Sequence, residues 1–476
     1  MTGAPGTTEH PTRFDFPAGQ YLAVTARLAL DTGGQTAMFL LRSRVFAARA
    51  GIAPTLVSFD DQPDYPHIRR QLLARGLVAP STVVVNLHEW LRNEPPELAA
   101  DDAETLPETT GSTVQHVPHP DGTRHLTTHL DADGERVVTD HLRADGSVYL
   151  RQGPDGIVLA DRCNRVLRRF PGTGALRRWW LPKLFDQRRV PVFVLSDSRF
   201  ATRQLLGLSG HKRVRLIHVV HNIHVQEPYT WDSPVHPTHL PVLEAADRLA
   251  ALVTLTERQR DDIAARFGPS STTHVVPNPI DTTTTSPIDP GKPREPMRFV
   301  MVGRLERQKR TMDAVRAFAT VVTREPGATL DVYGDGSRRA ELEQEIECLG
   351  LGAAVRLRGH VPRAKDELRS ATAMLLTSRF EGYPLVVLEA LDAGCPVIAY
   401  DIAYGPREQI TDGVSGFLVP PGDTDALADR VVRLARDPQL VARMSEAGRV
   451  SAAGHSVDAY LEQWQGVLRD VVARRV

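Results

Sequence analysis

Two glutamates, Glu381 and Glu389, lie eight positions apart in FEGYPLVVLEALDAG, and two cations, Arg304 and Lys309, lie five apart in VGRLERQKR. Each residue type has a matching chemistry. A carboxylate accepts hydrogen bonds from hydroxyl groups, whereas a guanidinium offers phosphate a directional fork and an ammonium a point charge. Pro384 is tolerated in the first turn of a helix and rejected from its interior, so the stretch predicts a helix that begins near Pro384 and stops at Gly394. Glu381 then precedes the helix beside Gly382, and Glu389 rides on it, roughly 7–8 Å further along at 1.5 Å per residue. Between them falls a helix N-terminus, which favours phosphate. Sugar hydroxyls, diphosphate and ribose hydroxyls follow in that order in a nucleotide-sugar. The plainer alternatives are one glutamate at a helix cap with the other in solvent, and two solvated surface cations.

Glycines and histidines supply further candidates. The turn YGDG (333–336) after a strand permits a ligand to approach the backbone. In DTGGQT, Gly33 and Gly34 precede a helix whose first N–H groups can meet a phosphate or a sugar. VRLIHVVHNIH ends a strand in histidines, with His218 inside the strand and His221 and His224 past it.

These residues must be positioned by regular elements. Apolar runs at 21–30, 55–59, 82–87, 190–196, 214–220 and 251–256 alternate with amphipathic helical stretches. In the second half RFVMVGRL, TLDVYGDG, AVRLRGHV, AMLLTS and PVIAYD repeat that alternation. Short Val/Leu/Ile strands between helices predict parallel sheets covered on both faces. The expected class is α/β: two Rossmann-like, doubly wound domains facing a cleft, at 1–290 and 297–455. The stretch TTTTSPIDPGKPREP (282–296) reads as their linker, and 456–476 as a C-terminal helix crossing back to the first domain. Such sheets take ligands at the carboxyl ends of their strands. From about 110 to 160 the texture changes. Asp-Gly recurs at 121–122, 133–134, 145–146 and 155–156 between β-branched runs, which predicts an inserted antiparallel meander of about four strands. Its histidines, His116, His119, His125, His129 and His141, are expected on the exposed face of that sheet rather than on a metal.

GRLERQK, the YGDG turn and SRFEGYPLVVLEALDAGCPVIAYDIAYGPREQI together resemble the retaining glycosyltransferases of the GT-B, two-Rossmann type, whose signature is Glu, seven residues, Glu. The resemblance implies Arg304 and Lys309 on a donor diphosphate, Glu381 on the transferred sugar and Glu389 on the ribose. It also implies that the backbone at Gly382, Pro384 and Leu385 approaches the phosphates, and that the base lies by His360 and Val361. A histidine near the reacting sugar is implied as well, His221 first and His224 second. In VVPNPID, PNP stands where the family has Asn-Gly, so Asn278 is given no role. The insert and AYGPREQI are similar to the bacterial wall teichoic acid α-glycosyltransferases and to protein O-N-acetylglucosaminyltransferases. No DxD-type motif stands in a suitable place, and Arg304 with Lys309 supplies the charge a metal would give; no metal and no other cofactor is expected.

A net charge of −1 gives the whole molecule no general attraction for nucleic acid or membrane. The N-terminus lacks the basic start and apolar run of a leader, and no run is long enough to span a bilayer. The expectation is a cytoplasmic protein, peripheral at most at the inner face of the cell membrane. Cys163, Cys348 and Cys395 read as small core residues in a reducing compartment. Between Arg162 and Arg189 nine Arg/Lys face one Asp, with aromatics interleaved. That stretch is either an amphipathic helix or a docking strip for a polyanionic acceptor or an anionic membrane. A short meander leaves two open edges, so a homo-oligomer through the insert is expected. The function expected is transfer of a hexose or N-acetylhexosamine from a UDP-linked sugar to a hydroxyl acceptor such as a polyol-phosphate wall polymer. The alternatives are a protein, lipid or natural-product acceptor, or a non-catalytic glycan-binding partner subunit.

Overall fold

The computed structural model describes residues 14–30, 33–62, 64–93, 104–107, 109, 113–118, 124–281 and 294–474. The turn at 120–122, His119 and residues 282–293 of the expected linker lie outside them. Contacts divide the chain into two compact units. One holds Met1–Val219, Thr238–Leu252 and Leu468–Val476; the other holds Val220–Pro237 and Val253–Val467.

In chain order the strands begin with β1 (Gln20–Thr25), β2 (Thr55–Ser58) and β3 (Val84–Asn86). The insert follows with β4 (Thr113–Pro118), β5 (Arg124–Leu130), β6 (Arg136–Leu142), β7 (Val148–Gly153), β8 (Gly156–Ala160) and β9 (Val166–Phe170). Then come β10 (Val192–Ser196), β11 (Val214–Val219), β12 (Ala251–Thr254) and β13 (Thr273–Val275). These and β1–β3 make one sheet in the order β13-β12-β11-β10-β1-β2-β3. Pairing is parallel between β11, β10, β1, β2 and β3. All five residues of β10 are buried, as a strand covered on both faces requires.

The second sheet is built from β14 (Arg298–Val302), β15 (Thr329–Tyr333), β16 (Val355–Gly359), β17 (Ala373–Leu376), β18 (Val397–Tyr400) and β19 (Gly416–Val419). It is wholly parallel, in the order β16-β15-β14-β17-β18-β19. Phe299, Val315, Phe318, Val321, Leu330 and Leu427 are among the residues of its core.

The insert is larger than the sequence suggests. It is a six-stranded antiparallel meander running in chain order from β4 to β9, and it reaches Phe170. Gly134 and Gly146 take the positive φ that these tight turns demand. The basic stretch is therefore not one helix. Its first part is β9, followed by a helix at Thr173–Trp180 and a 3-10 turn at Leu181–Leu184. Trp180 is fully buried. Arg162, Arg165, Arg169 and Arg188 are paired with Asp145, Asp161, Glu104 and Asp186. Two of the cysteines also depart from expectation: Cys163 and Cys348 are exposed, and only Cys395 is a core residue.

Residues 220–237 and 253–281 group with the second unit because they bond to it. The Tyr404 hydroxyl donates to Asp262, and the Glu408 carboxylate accepts from the Glu257 and Arg258 N–H groups, which open the helix Glu257–Phe267. A carboxylate there satisfies N–H groups that the helix itself leaves unpaired. No helix among the described residues is long and apolar enough to cross a membrane.

Candidate active site

The loop after β14 carries Arg304 and Lys309. In it Arg307–Lys309 form a 3-10 turn, Arg310 takes a left-handed φ of 46°, and the helix begins only at Thr311. This loop is stitched to the one after β17. The N–H of Arg379 donates to the Gln308 carbonyl (2.7 Å), Gln308 Nε2 donates to the Phe380 carbonyl (3.0 Å), and Thr377 Oγ1 donates to the Lys309 carbonyl (2.9 Å). Both loops lie at carboxyl ends of neighbouring parallel strands. They share a pocket lined by Gly303, Arg304, Lys309, Thr377 and Ser378 among others. The two cations are thus brought to one place.

Lys309 Nζ donates to Glu381 Oε1 at 2.6 Å, and Ser378 Oγ donates to the same oxygen at 2.7 Å. Glu381 is buried. Both bonds fall on Oε1 and not on Oε2. The backbone of Glu381 is held too: its N–H donates to the Ala403 carbonyl and its carbonyl accepts from the Tyr404 N–H. AYGPREQI therefore braces the glutamate loop. Within it Gly405 lies against Pro384 and Gln409 Nε2 donates to the Pro384 carbonyl.

The helix occupies Leu385–Asp392 with Pro384 at its N-cap, and Gly394 follows with a left-handed φ of 66°. Pro384 and Gly394 thus stand where the sequence puts them. Gly382 has a packing reason to be glycine, because a Cβ there would sit 1.9 Å from the His221 carbonyl oxygen. His221, two residues past β11 and partly buried, is so placed against the Glu381–Gly382 turn. His224 is fully buried, stacks on Tyr404 at 6.0 Å and is held neutral down to about pH 4 by burial. It is a packing residue in this structure. His218 lies inside β11 and bonds to Thr202 Oγ1.

Glu389 is half-buried on its helix, and Lys365 Nζ stands 3.7 Å from its Oε1. Desolvation pushes the Glu389 carboxyl upward, and Lys365 opposes the shift. His360 and Val361 are exposed just past β16, and Leu385 is partly buried in the first turn of the helix. In the other unit, Gly33 and Gly34 are exposed at the start of the helix Gly34–Ala50. A Cβ on Gly33 would meet no atom within 4 Å. Thr36 of that helix lines a groove with Arg27, Gln62 and His67.

The YGDG turn serves a different purpose from the one expected. A Cβ at Gly334 would lie 1.9 Å from the Gly303 carbonyl oxygen, and one at Gly336 would lie 2.6 Å from that of Leu305. These glycines admit the neighbouring loop rather than a ligand, and so fix the backbone on either side of Arg304. Sequence reasoning missed Ser378 and Lys365. A serine three residues before a glutamate and a lysine 24 positions before another carry no signal of their own.

Residues 283–451 match the family model of glycosyl transferases group 1, and residues 122–284 match that of glycosyltransferase family 4. The fold agrees with the crystal structure of TarM at a TM-score of 0.78 and 19% identity, over 95% of this chain and 99% of that one. The fold is that of the GT-B glycosyltransferases, and the second half of the chain matches the group 1 model. Within that class it is similar to the poly(glycerol-phosphate) α-glucosyltransferase of Bacillus subtilis, at 30% identity over 63% of this chain and 44% of that protein. It is also similar to the poly(ribitol-phosphate) α-N-acetylglucosaminyltransferase of Staphylococcus aureus, at 25% identity over 62% of this chain and 59% of that protein. The matches span less than two thirds of either relative's length.

Proposed function

We propose that this chain is a retaining glycosyltransferase that moves a hexose or N-acetylhexosamine from a UDP-linked sugar to a hydroxyl of a polyol-phosphate polymer. The observation that carries the reading is the convergence of Arg304, Lys309 and Ser378 on one pocket at the carboxyl ends of β14 and β17, with Glu381 bonded to both Lys309 and Ser378. In it Arg304 and Lys309 hold the diphosphate and stabilise its charge as the sugar leaves. Glu381 takes sugar hydroxyls, Glu389 takes the ribose, and the backbone at Gly382, Pro384 and Leu385 faces the phosphates. Val361 and His360 flank the base, and His221 stands by the reacting sugar. No metal takes part in the transfer, because the two cations meet the charge.

The acceptor assignment is supported by the two polyol-phosphate glycosyltransferases among the relatives. In this reading Gly33 and Gly34 face the acceptor across the groove that Thr36 lines. Docking of a polyanion or an anionic membrane surface by 162–189 would fall to Arg168 and Arg189, since four other arginines there already face acids. The chain acts in the cytoplasm and assembles as a homo-oligomer through β4. Every residue of that edge strand is exposed.

Purified protein is incubated with a panel of UDP-sugars, with and without short glycerol- or ribitol-phosphate oligomers, and UDP release is followed. Release that rises with the polyol-phosphate oligomer supports the reading. Release with a protein or lipid acceptor alone would favour that acceptor, and no UDP binding or release would leave a non-catalytic partner.

A further inference from the structure

Among the described histidines of the insert, His116 is exposed as expected and His129 is partly buried, but two others leave the exposed face. His125 and His141 are buried, and they meet Asp61 from the loop after β2 and His88 from the helix Leu87–Arg92. His141 Nδ1 lies 2.5 Å from Asp61 Oδ2, and His88 Nδ1 lies 3.9 Å from the same oxygen. We propose that Asp61, His88 and His141 form a zinc site that ties the inserted sheet to the parallel sheet of the first unit.

Three features point to it. One ligating atom from each of the three residues falls within 4.8 Å of the others. A zinc ion with bonds of about 2.0–2.2 Å holds its ligands roughly 3.3 Å apart, and the two measured separations bracket that spacing. The donor set of two imidazoles and one carboxylate suits zinc, whereas magnesium and calcium favour all-oxygen sites. The site also has outer partners. His125 Nε2 (3.2 Å) and Arg92 (3.1 Å) hold the other Asp61 oxygen. Such partners orient metal ligands.

The charges nearby have been weighed. Arg92 lies on Oδ1 and not on Oδ2, and Arg177, which faces His88, is itself countered by Asp60. Without metal the same side chains make a His–Asp hydrogen-bond cluster, and the experiment separates these two states.

The full-length chain, untagged, is purified from zinc-supplemented culture, denatured and assayed for zinc with a chromophoric chelator. Metal-free chain is then titrated with Co2+. The expected results are about one zinc per chain, a visible cobalt band of tetrahedral intensity that saturates at one equivalent and is displaced by Zn2+, and a raised Tm with zinc. Asp61→Asn and His141→Ala should lose the band, and His129→Ala should keep it. A wild-type chain that carries no zinc and gives no cobalt band would overturn the proposal. So would a band that survives in Asp61→Asn and His141→Ala. Should those variants fail to fold, the wild-type titration decides alone.

Discussion

Lys309 Nζ and Glu381 Oε1 form a 2.6 Å ion pair, and Lys309 lines the same pocket as Arg304. The pair fixes both the carboxylate proposed to take sugar hydroxyls and the ammonium proposed to meet the diphosphate. A loop after one strand thus presets a loop after its neighbour before any donor arrives, which is the economy of an electrostatically preorganised site.

Glu381 and Glu389 should therefore fail in different ways. Loss of a hydrogen bond to a charged group costs about 1.5–3 kcal/mol, so Glu389→Ala should weaken UDP binding by roughly tenfold to a hundredfold. Glu381→Ala should leave UDP affinity nearly unchanged while transfer falls about 10²-fold or more. Calorimetry with UDP beside a transfer assay separates the two. Equal UDP affinity for wild type and Glu389→Ala would remove the ribose assignment.

The contact between Gly382 and the His221 carbonyl predicts a contrast between two glycines. Gly382→Ala forces a Cβ to 1.9 Å from a backbone oxygen, and overpacking of this kind typically costs about 1–3 kcal/mol. Gly33→Ala adds a Cβ that meets nothing, so its Tm should stay at the wild-type value while KM for the acceptor rises. Thermal melts and acceptor titrations check both. A Gly382→Ala protein of wild-type stability would show that the His221 segment does not pack as described.

His224 predicts the acid side of the stability curve. Its folded pKa is depressed from 6.5 to about 4, chiefly by burial. The unfolded chain therefore takes up the proton first as pH falls. Stability from this residue is complete above about 6.5 and is lost progressively toward pH 4, by about 3 kcal/mol in all. His224→Phe, which keeps a ring against Tyr404, should match wild type near pH 8 and exceed it near pH 4.5. Urea unfolding at the two pH values reads this directly, and an identical acid loss in both proteins would contradict it.

Edge strand β4 predicts self-association. Val114 and Val117 are 41% and 47% exposed on it, and an open apolar edge invites pairing with a second copy. Lysines at both positions should reduce an oligomer to monomers in light scattering while UDP affinity is retained. An intact protein that is already monomeric would end the oligomer proposal.

Much of this arrangement was legible in the sequence, and the failures have physical causes. Continuous Val/Leu/Ile runs announced the parallel strands because burial on both faces leaves no alternation to misread. Pro384 and Gly394 bounded their helix through backbone chemistry alone. β9 was hidden because its Arg168 and Arg169 make a strand look like part of a basic helix. The YGDG glycines were assigned to a ligand because a lone sequence cannot show that the Gly303–Leu305 backbone fills that space. His125 and His141 were misplaced for a similar reason: the Asp61 that His141 meets is 80 positions away in the chain. Local pattern reports periodicity and turn chemistry, and it is silent about long-range partners.

The most direct test is the stereochemistry and metal dependence of one reaction. The full-length chain is given a UDP-α-linked sugar and a short polyol-phosphate acceptor in EDTA, and the anomeric coupling of the product is read by proton NMR. The prediction is UDP release with the sugar in α linkage, at a rate unaffected by added Mg2+ or Mn2+. A β-linked product, activity that appears only on adding Mg2+ or Mn2+, or no transfer from any UDP-sugar would contradict it.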